Sequence, residues 1–108
     1  MQYVYLALAI VAEVTATSAL KISEAFTRPL PAVVVVIGYA ISFYLLSLTL
    51  RSIAIGVVYA IWSGVGIALI TLVGLFYFKQ SLDATALSGI GLIVVGVIVL
   101  NFSSSVAA

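Results

Sequence analysis

The chain contains no cysteine and no histidine, and only 6% of its 108 residues are charged. The first two absences exclude disulfide bonds and remove the usual ligands of zinc and haem, so we expect neither a metal nor a cofactor. The scarcity of charge argues against a soluble protein, because a domain this small exposes much of its surface and needs charged side chains to cover it. The net charge of +1 gives no indication of nucleic-acid binding.

Long apolar stretches make up most of the chain, which is 66% hydrophobic with a mean hydropathy of +1.44. Breaks with charged residues or proline separate four stretches, at about residues 3–20, 33–50, 53–78 and 84–102. A helix of about 18 residues spans roughly 27 Å, close to the hydrocarbon thickness of a bilayer. Lipid cannot satisfy an open sheet edge, so helix is expected even at the valine run 33–36. The sequence predicts an all-α integral membrane protein, with residues 1–108 forming a single domain of four transmembrane helices.

The breaks between the stretches are short, at residues 21–31, 51–52 and 79–83. Short connections favour antiparallel hairpins of consecutive helices. Pro29 and Pro31 are suited to the boundary between the first two helices. Asp83 is well placed to cap the N-terminus of the last helix.

The basic residues define only a weak preference for membrane orientation. Lys21, Arg28 and Lys79 fall on one side of the predicted membrane, and Arg51 falls on the other with the N-terminus. Positive residues in short loops favour the cytoplasm. A difference this small permits insertion in both orientations.

Glu13 is the only acidic residue inside the apolar stretches. An ionised side chain at the centre of a membrane helix costs roughly 2.5 to 3.5 kcal/mol, so such a group usually faces a partner, a cavity or an ion path. Small and apolar residues flank it at helical spacing, among them Ala16 and Thr17. We therefore interpret Glu13 as the centre of the functional site.

The third stretch places polar and aromatic groups on one helical face, at Tyr59, Trp62, Ser63 and Gly66. Trp62 lies in mid-span, away from the interfaces where membrane tryptophan collects. It could simply fill space between helices. Beside a buried carboxylate, however, an aromatic face favours an apolar cation, so we interpret this face as a binding wall.

Two pairs of glycines have distinct predicted roles. Gly64 and Gly66 lie in the middle of the third helix, where missing side chains allow a kink or flexible point. Gly89 and Gly96 share a face of the last helix, which suits either a dimer contact or packing within the chain.

Several motifs together resemble the small multidrug resistance family of transporters. They are Ala12-Glu13-Val14, the segment 21–28 ending in Phe26-Thr27-Arg28, Ser42-Phe43, the string Tyr-Ala-Ile-Trp-Ser-Gly-Val-Gly at 59–66, and Leu82-Asp83. The resemblance covers nearly the whole chain. It implies an antiparallel homodimer of multi-pass protomers in the bacterial inner membrane that exchanges protons for cationic substrates, and therefore a secondary transporter and not an enzyme.

The family has at least two functional branches, and this sequence resembles the one that exports quaternary ammonium and other lipophilic cations. Three residues after Glu13 it has Ala16, where the guanidinium-exporting branch has Trp. Tyr39 and the pair 82–83 also resemble the multidrug branch. The chain departs from the common pattern at Tyr44 in place of Trp, Ala16 in place of Gly and Ala54 in place of Pro.

The resemblance implies that protons and substrate compete for two Glu13 carboxylates, one per protomer. Tyr59 is expected to hydrogen-bond a carboxylate and to help gate the site. The expected substrate pocket comprises Tyr39, Tyr59, Trp62, Thr17, Ser63, Phe43 and Tyr44. Three alternatives remain: a guanidinium exporter of the same family, a proton-conducting subunit of a rotary machine, and a membrane peptide that pairs Glu13 with a partner's cation.

Overall fold

The computed structural model describes residues 1–103, and its regular structure is helical. The helices are α1 (Gln2–Ile22), α2 (Pro29–Thr49), α3 (Ile55–Phe76) and α4 (Ala84–Leu100). The prediction of an all-α protein with four helices is confirmed. The second helix begins earlier than expected, because Pro29 and Pro31 fit a first turn whose backbone N–H groups have no partner within the helix.

Three of the helices are long and apolar enough to cross a membrane: α1 and α2 with 21 residues each and α3 with 22. The apolar helix α4 is shorter, with 17 residues, and rises about 26 Å. Large apolar side chains are exposed along these helices, including Val11, Val36, Leu92 and Val99. Such exposure is unfavourable in water and favourable in lipid, so the fold agrees with the composition in indicating a multi-pass membrane protein.

The chain divides into two compact units, Met1–Arg51 and the part from Ser52 onward. Each unit is a helical hairpin, α1 with α2 and α3 with α4. In the first hairpin the Ser42 hydroxyl is fully buried and donates to the carbonyl oxygen of Ala9 at 2.8 Å. Small side chains at both positions allow the two backbones to approach closely.

The connection between α1 and α2 reverses the chain without glycine. Glu24, Ala25 and Phe26 all have positive φ, at 49°, 60° and 67°, a conformation that costs roughly 1–2 kcal/mol per residue. Ser23 holds this turn together. Its hydroxyl donates to the Leu20 carbonyl at 2.7 Å and accepts from the Phe26 amide at 3.1 Å.

In the second hairpin, Gly64 of α3 lies against Val97 of α4, and a methyl group at Gly64 would collide with the valine side chain. At the start of α4 the Asp83 carboxylate accepts a hydrogen bond from the Ala86 amide at 2.8 Å. The predicted cap at Asp83 is thus confirmed. None of the residues of α4 is buried.

Candidate functional site

Glu13 lies near the middle of α1 and is half-buried. The basic residues occupy helix ends or connections: Lys21 the last turn of α1, Arg28 the N-cap of α2, and Arg51 and Lys79 the later connections. Glu13 is therefore the charged residue of the helix interiors in the part of the chain that the structure describes. Its neighbours along the helix are the groups available to stabilise it.

Thr17 supplies a hydrogen bond to this carboxylate from one turn further along α1. Its hydroxyl donates to Glu13 Oε1 at 2.8 Å. A threonine in a helix commonly donates to the backbone carbonyl four residues earlier, as Thr15 does to Val11 at 2.9 Å. Thr17 instead donates its only hydroxyl proton to the carboxylate. Its hydroxyl oxygen can then act only as an acceptor toward other groups.

Tyr39 extends the hydrogen bonding from α2 to α1. Its phenolic oxygen lies 2.7 Å from Thr17 Oγ1. Because the single hydroxyl proton of Thr17 goes to Glu13, the Tyr39 hydroxyl acts as the donor in this second bond. The result is a directed chain from Tyr39 through Thr17 to Glu13, in which each bond polarises the next.

Phe43 lies one turn beyond Tyr39 on α2, and their rings are stacked with centroids 6.1 Å apart at 18°. The Phe43 ring is 57% exposed, and neighbouring Tyr44 is 65% exposed. The first hairpin therefore combines a carboxylate with two hydroxyl groups and an accessible aromatic surface. Such a surface can attract a cation through the ring quadrupole while the carboxylate supplies the opposite charge.

The other predicted pocket residues belong to the second hairpin. Tyr59, Trp62 and Ser63 lie on α3 at spacings that place them on one face. Tyr59 is 72% exposed, whereas Trp62 and Ser63 are half-buried. Gly66, one turn further, is buried. The structure thus groups Glu13, Thr17, Tyr39 and Phe43 within one hairpin, and it groups the Trp62 face within the other.

The sequence interpretation missed the residues that hold the first group together. Ser42 entered only as part of a family motif, and Gly38 was not considered. A signal for both was present, because Ala9 and Ala16 lie on one side of α1 and Gly38 and Ser42 on one side of α2. Small residues at such spacings are typical of closely packed membrane helices.

An ionisable side chain inside an apolar helix of a multi-pass protein commonly marks a substrate or ion pathway, and here a hydroxyl group holds it. Comparison with known proteins defines the family. The model of the Small Multidrug Resistance protein family matches residues 1–93, and the chain belongs to this family.

Its relatives match over nearly their whole length. The quaternary ammonium compound-resistance protein QacE of Escherichia coli is 54% identical over 106 residues, which cover 98% of this chain and 96% of the relative. QacF of Klebsiella aerogenes, named in the same way, is 52% identical over 106 residues with the same shares of coverage, 98% and 96%. The multidrug transporter EmrE of Escherichia coli K12 is 50% identical over 102 residues, covering 94% of this chain and 93% of the relative.

These matches extend the conclusions from composition and fold. The protein is a multi-pass protein of the bacterial inner membrane and a transporter. The match to the family model spans α1 through most of α4.

Proposed function

We propose that this protein is a proton-coupled antiporter that exports lipophilic and quaternary ammonium cations. One observation carries the proposal: the interior carboxylate of Glu13 accepts a hydrogen bond from Thr17, whose oxygen in turn accepts one from Tyr39. The names of the relatives QacE and EmrE, a quaternary ammonium resistance protein and a multidrug transporter, support the cationic substrate class.

Substrate recognition combines charge with aromatic surface. The Glu13 carboxylate attracts the cation, and the stacked rings of Tyr39 and Phe43 offer it a weakly polar face. The family resemblance adds Tyr44 of α2 and Tyr59, Trp62 and Ser63 of α3 to the proposed pocket, and three of these four are aromatic. A pocket built this way selects for one positive charge and for apolar bulk, and it places few directional demands on the substrate.

Exchange follows from competition at Glu13. A cation binds the ionised carboxylate, and a proton that neutralises the carboxylate removes the charge that holds the cation. Release of protons therefore accompanies loading of substrate on one side, and protonation accompanies its release on the other. Coupling requires that the empty, ionised site does not readily change its exposure from one side of the membrane to the other.

The functional unit in this proposal is an antiparallel homodimer, in which two Glu13 residues form one shared site. On α4, Gly89 and Gly96 are exposed, and a methyl group on either would have nothing within 4 Å. A second helix can therefore approach this face closely. The weak charge bias of the loops permits both orientations, which would provide the inverted repeat that transporters use for alternating access.

Conformational exchange in the proposal involves α3. Gly64 and Gly66 lie next to the aromatic face, and bending there would move Tyr59 relative to the last turns of the helix. Tyr59, with most of its ring exposed, would act as the gate. Gly64 also packs against Val97, so its lack of a side chain serves the α3–α4 contact as well.

Uptake into proton-loaded liposomes tests the proposal. Wild type and Glu13→Gln are compared with tetraphenylphosphonium and with guanidinium as substrates, under an imposed proton gradient. We expect uptake of tetraphenylphosphonium by wild type and none by the Gln variant, which keeps the side-chain volume and loses the titratable charge.

The other outcomes separate the alternatives. Uptake of guanidinium alone would assign the protein to the guanidinium branch. Uptake of neither cation by a folded protein would favour a subunit that conducts protons or pairs with a partner. Normal transport by Glu13→Gln would refute any exchange mechanism centred on this carboxylate.

A further inference from the structure

A close approach of α1 and α2 lies beside the hydrogen bonds of the site. A methyl group added to Gly38 would lie 2.8 Å from the Cβ of Ala16 and 3.2 Å from the carbonyl oxygen of Ala12. Nonbonded carbon atoms pack at about 3.5–4.0 Å. Ala16 is fully buried. The crossing of the two helices therefore has space for one methyl group, and Ala16 provides it.

This crossing is adjacent in sequence to the bond that joins the two helices at the site. Ala16 precedes Thr17, and Gly38 precedes Tyr39. The oxygens of Thr17 and Tyr39 are 2.7 Å apart, within the range of about 2.5–3.0 Å for hydroxyl hydrogen bonds. Moving α2 away from α1 by roughly 1 Å would break this bond. The packing of Ala16 on Gly38 thus sets whether Tyr39 reaches Thr17.

A second contact fixes the remaining freedom of the two helices. The hydrogen bond from Ser42 to the Ala9 carbonyl at 2.8 Å lies one turn further along α2 and determines how the helices are aligned lengthwise. Because this bond restricts sliding of α2 along α1, the Tyr39–Thr17 distance depends on how far apart the two backbones lie at Ala16 and Gly38. The family resemblance gives a common glycine at the position of Ala16, so this chain carries its methyl on α1 and leaves α2 bare.

We propose that Ala16 and Gly38 form a positioning pair that sets the affinity for cations by holding the Tyr39 hydroxyl against Thr17. The inference rests on the proposed function, in which Thr17 and Tyr39 hold the Glu13 carboxylate in place for the cation. Neither member of the pair contacts the substrate. What matters is the combined size of the two side chains. One methyl group fits between the helices and keeps the Tyr39–Thr17 hydrogen bond intact, whereas two methyl groups would separate the helices and break it.

Exchanging the methyl group between the helices tests the pair. Binding of tetraphenylphosphonium to the purified dimer in detergent is measured by calorimetry for wild type, Gly38→Ala, and the exchange variant Ala16→Gly/Gly38→Ala. Gly91→Ala is the matched control, since a methyl there has nothing within 4 Å. We expect about tenfold weaker binding for Gly38→Ala, the loss that corresponds to about one hydrogen bond. We expect the exchange variant to stay within about twofold of wild type, as the control does.

Tyr39→Phe distinguishes positioning from a general packing defect. With the Tyr39 hydroxyl already removed, Gly38→Ala should weaken binding no further. The proposal is wrong if Gly38→Ala binds as the Gly91→Ala control does, if the exchange variant is as weak as Gly38→Ala, or if the two effects simply add in the Tyr39→Phe background.

A substrate-free measurement separates failure of the pair from failure of the proposed function. Midpoints of thermal unfolding are recorded for Gly38→Ala, Tyr39→Phe and the combination of both. If the two substitutions change the unfolding midpoint non-additively, the pair positions Tyr39, whether or not wild type binds a cation. Failure of wild type to bind tetraphenylphosphonium or guanidinium would refute only the antiporter. Additive midpoints in a wild-type protein that binds the cation would refute the pair and leave the antiporter standing.

Discussion

At the scale of single residues, the proposed function depends on how the Glu13 carboxylate is stabilised inside a membrane helix. The Thr17 hydroxyl donates to it, and Tyr39 in turn donates to Thr17. Hydrogen bonds to an ionised group contribute about 1.5–3 kcal/mol each, more than neutral ones. The Thr17 hydroxyl thus holds the carboxylate that, in the proposed function, attracts the cation.

Thr17→Val tests this at the central member of the chain. Valine keeps the branched shape and removes the hydroxyl, so the carboxylate loses its donor and the Tyr39 hydroxyl loses its acceptor. The carboxylate is then no longer held in place by a hydrogen bond, and we expect at least about tenfold weaker tetraphenylphosphonium binding at neutral pH. Equilibrium binding in detergent measures this. Thr17→Ser retains the hydroxyl and should bind within about threefold of wild type. Equal losses of affinity in both variants would contradict a role for the Thr17 hydroxyl in cation binding.

At the scale of helices and hairpins, the sequence predicted the elements and failed to predict their contacts. The number of helices and the Asp83 cap follow from local patterns, and the structure agrees with both. The bond between Tyr39 and Thr17 could not be predicted, because it depends on the distance between two helices. That distance is set by small residues such as Gly38, whose pattern indicates close packing without naming the partner.

Gly64 on α3 illustrates the same ambiguity, since its sequence context favoured a flexible point and its structural neighbour is Val97. Gly64→Ala should destabilise the second hairpin, because the added methyl collides with the valine. Shortening the valine in Gly64→Ala/Val97→Ala should restore most of the lost thermal stability. The thermal unfolding midpoint in detergent measures both effects, and Val97→Ala alone provides the reference for the cavity it creates.

Transport by the same double variant separates the two roles of Gly64. If the glycine serves only packing, the repaired variant should transport tetraphenylphosphonium into liposomes at close to the wild-type rate. If flexibility is also needed, binding should recover while the transport rate stays low. Failure of Val97→Ala to recover any stability would contradict the packing role itself.

At the scale of the whole molecule, the proposed dimer draws its structural support from the last helix. Gly89 and Gly96 share one side of α4, a methyl group on either would have nothing within 4 Å, and no residue of α4 is buried. A helix side that only faces lipid has no need of glycine. A helix side that packs closely against a second helix does benefit from glycine, because small residues let the two backbones come together.

Gly96→Val tests whether this face joins two protomers. A branched side chain there would separate the helices, so we expect dimerisation in liposomes to weaken by at least about tenfold, the equivalent of about 1.4 kcal/mol. Single-molecule energy transfer between labelled protomers, measured over a range of protein-to-lipid ratios, would detect the change. Gly91→Val is the control, because Gly91 lies on nearly the opposite side of α4 from Gly89 and is equally open. Tetraphenylphosphonium binding should saturate at one cation per two chains in wild type and fall in parallel with the dimer in Gly96→Val. A variant that loses the dimer and keeps full binding per chain would show that one Glu13 suffices, and the shared site would have to be abandoned.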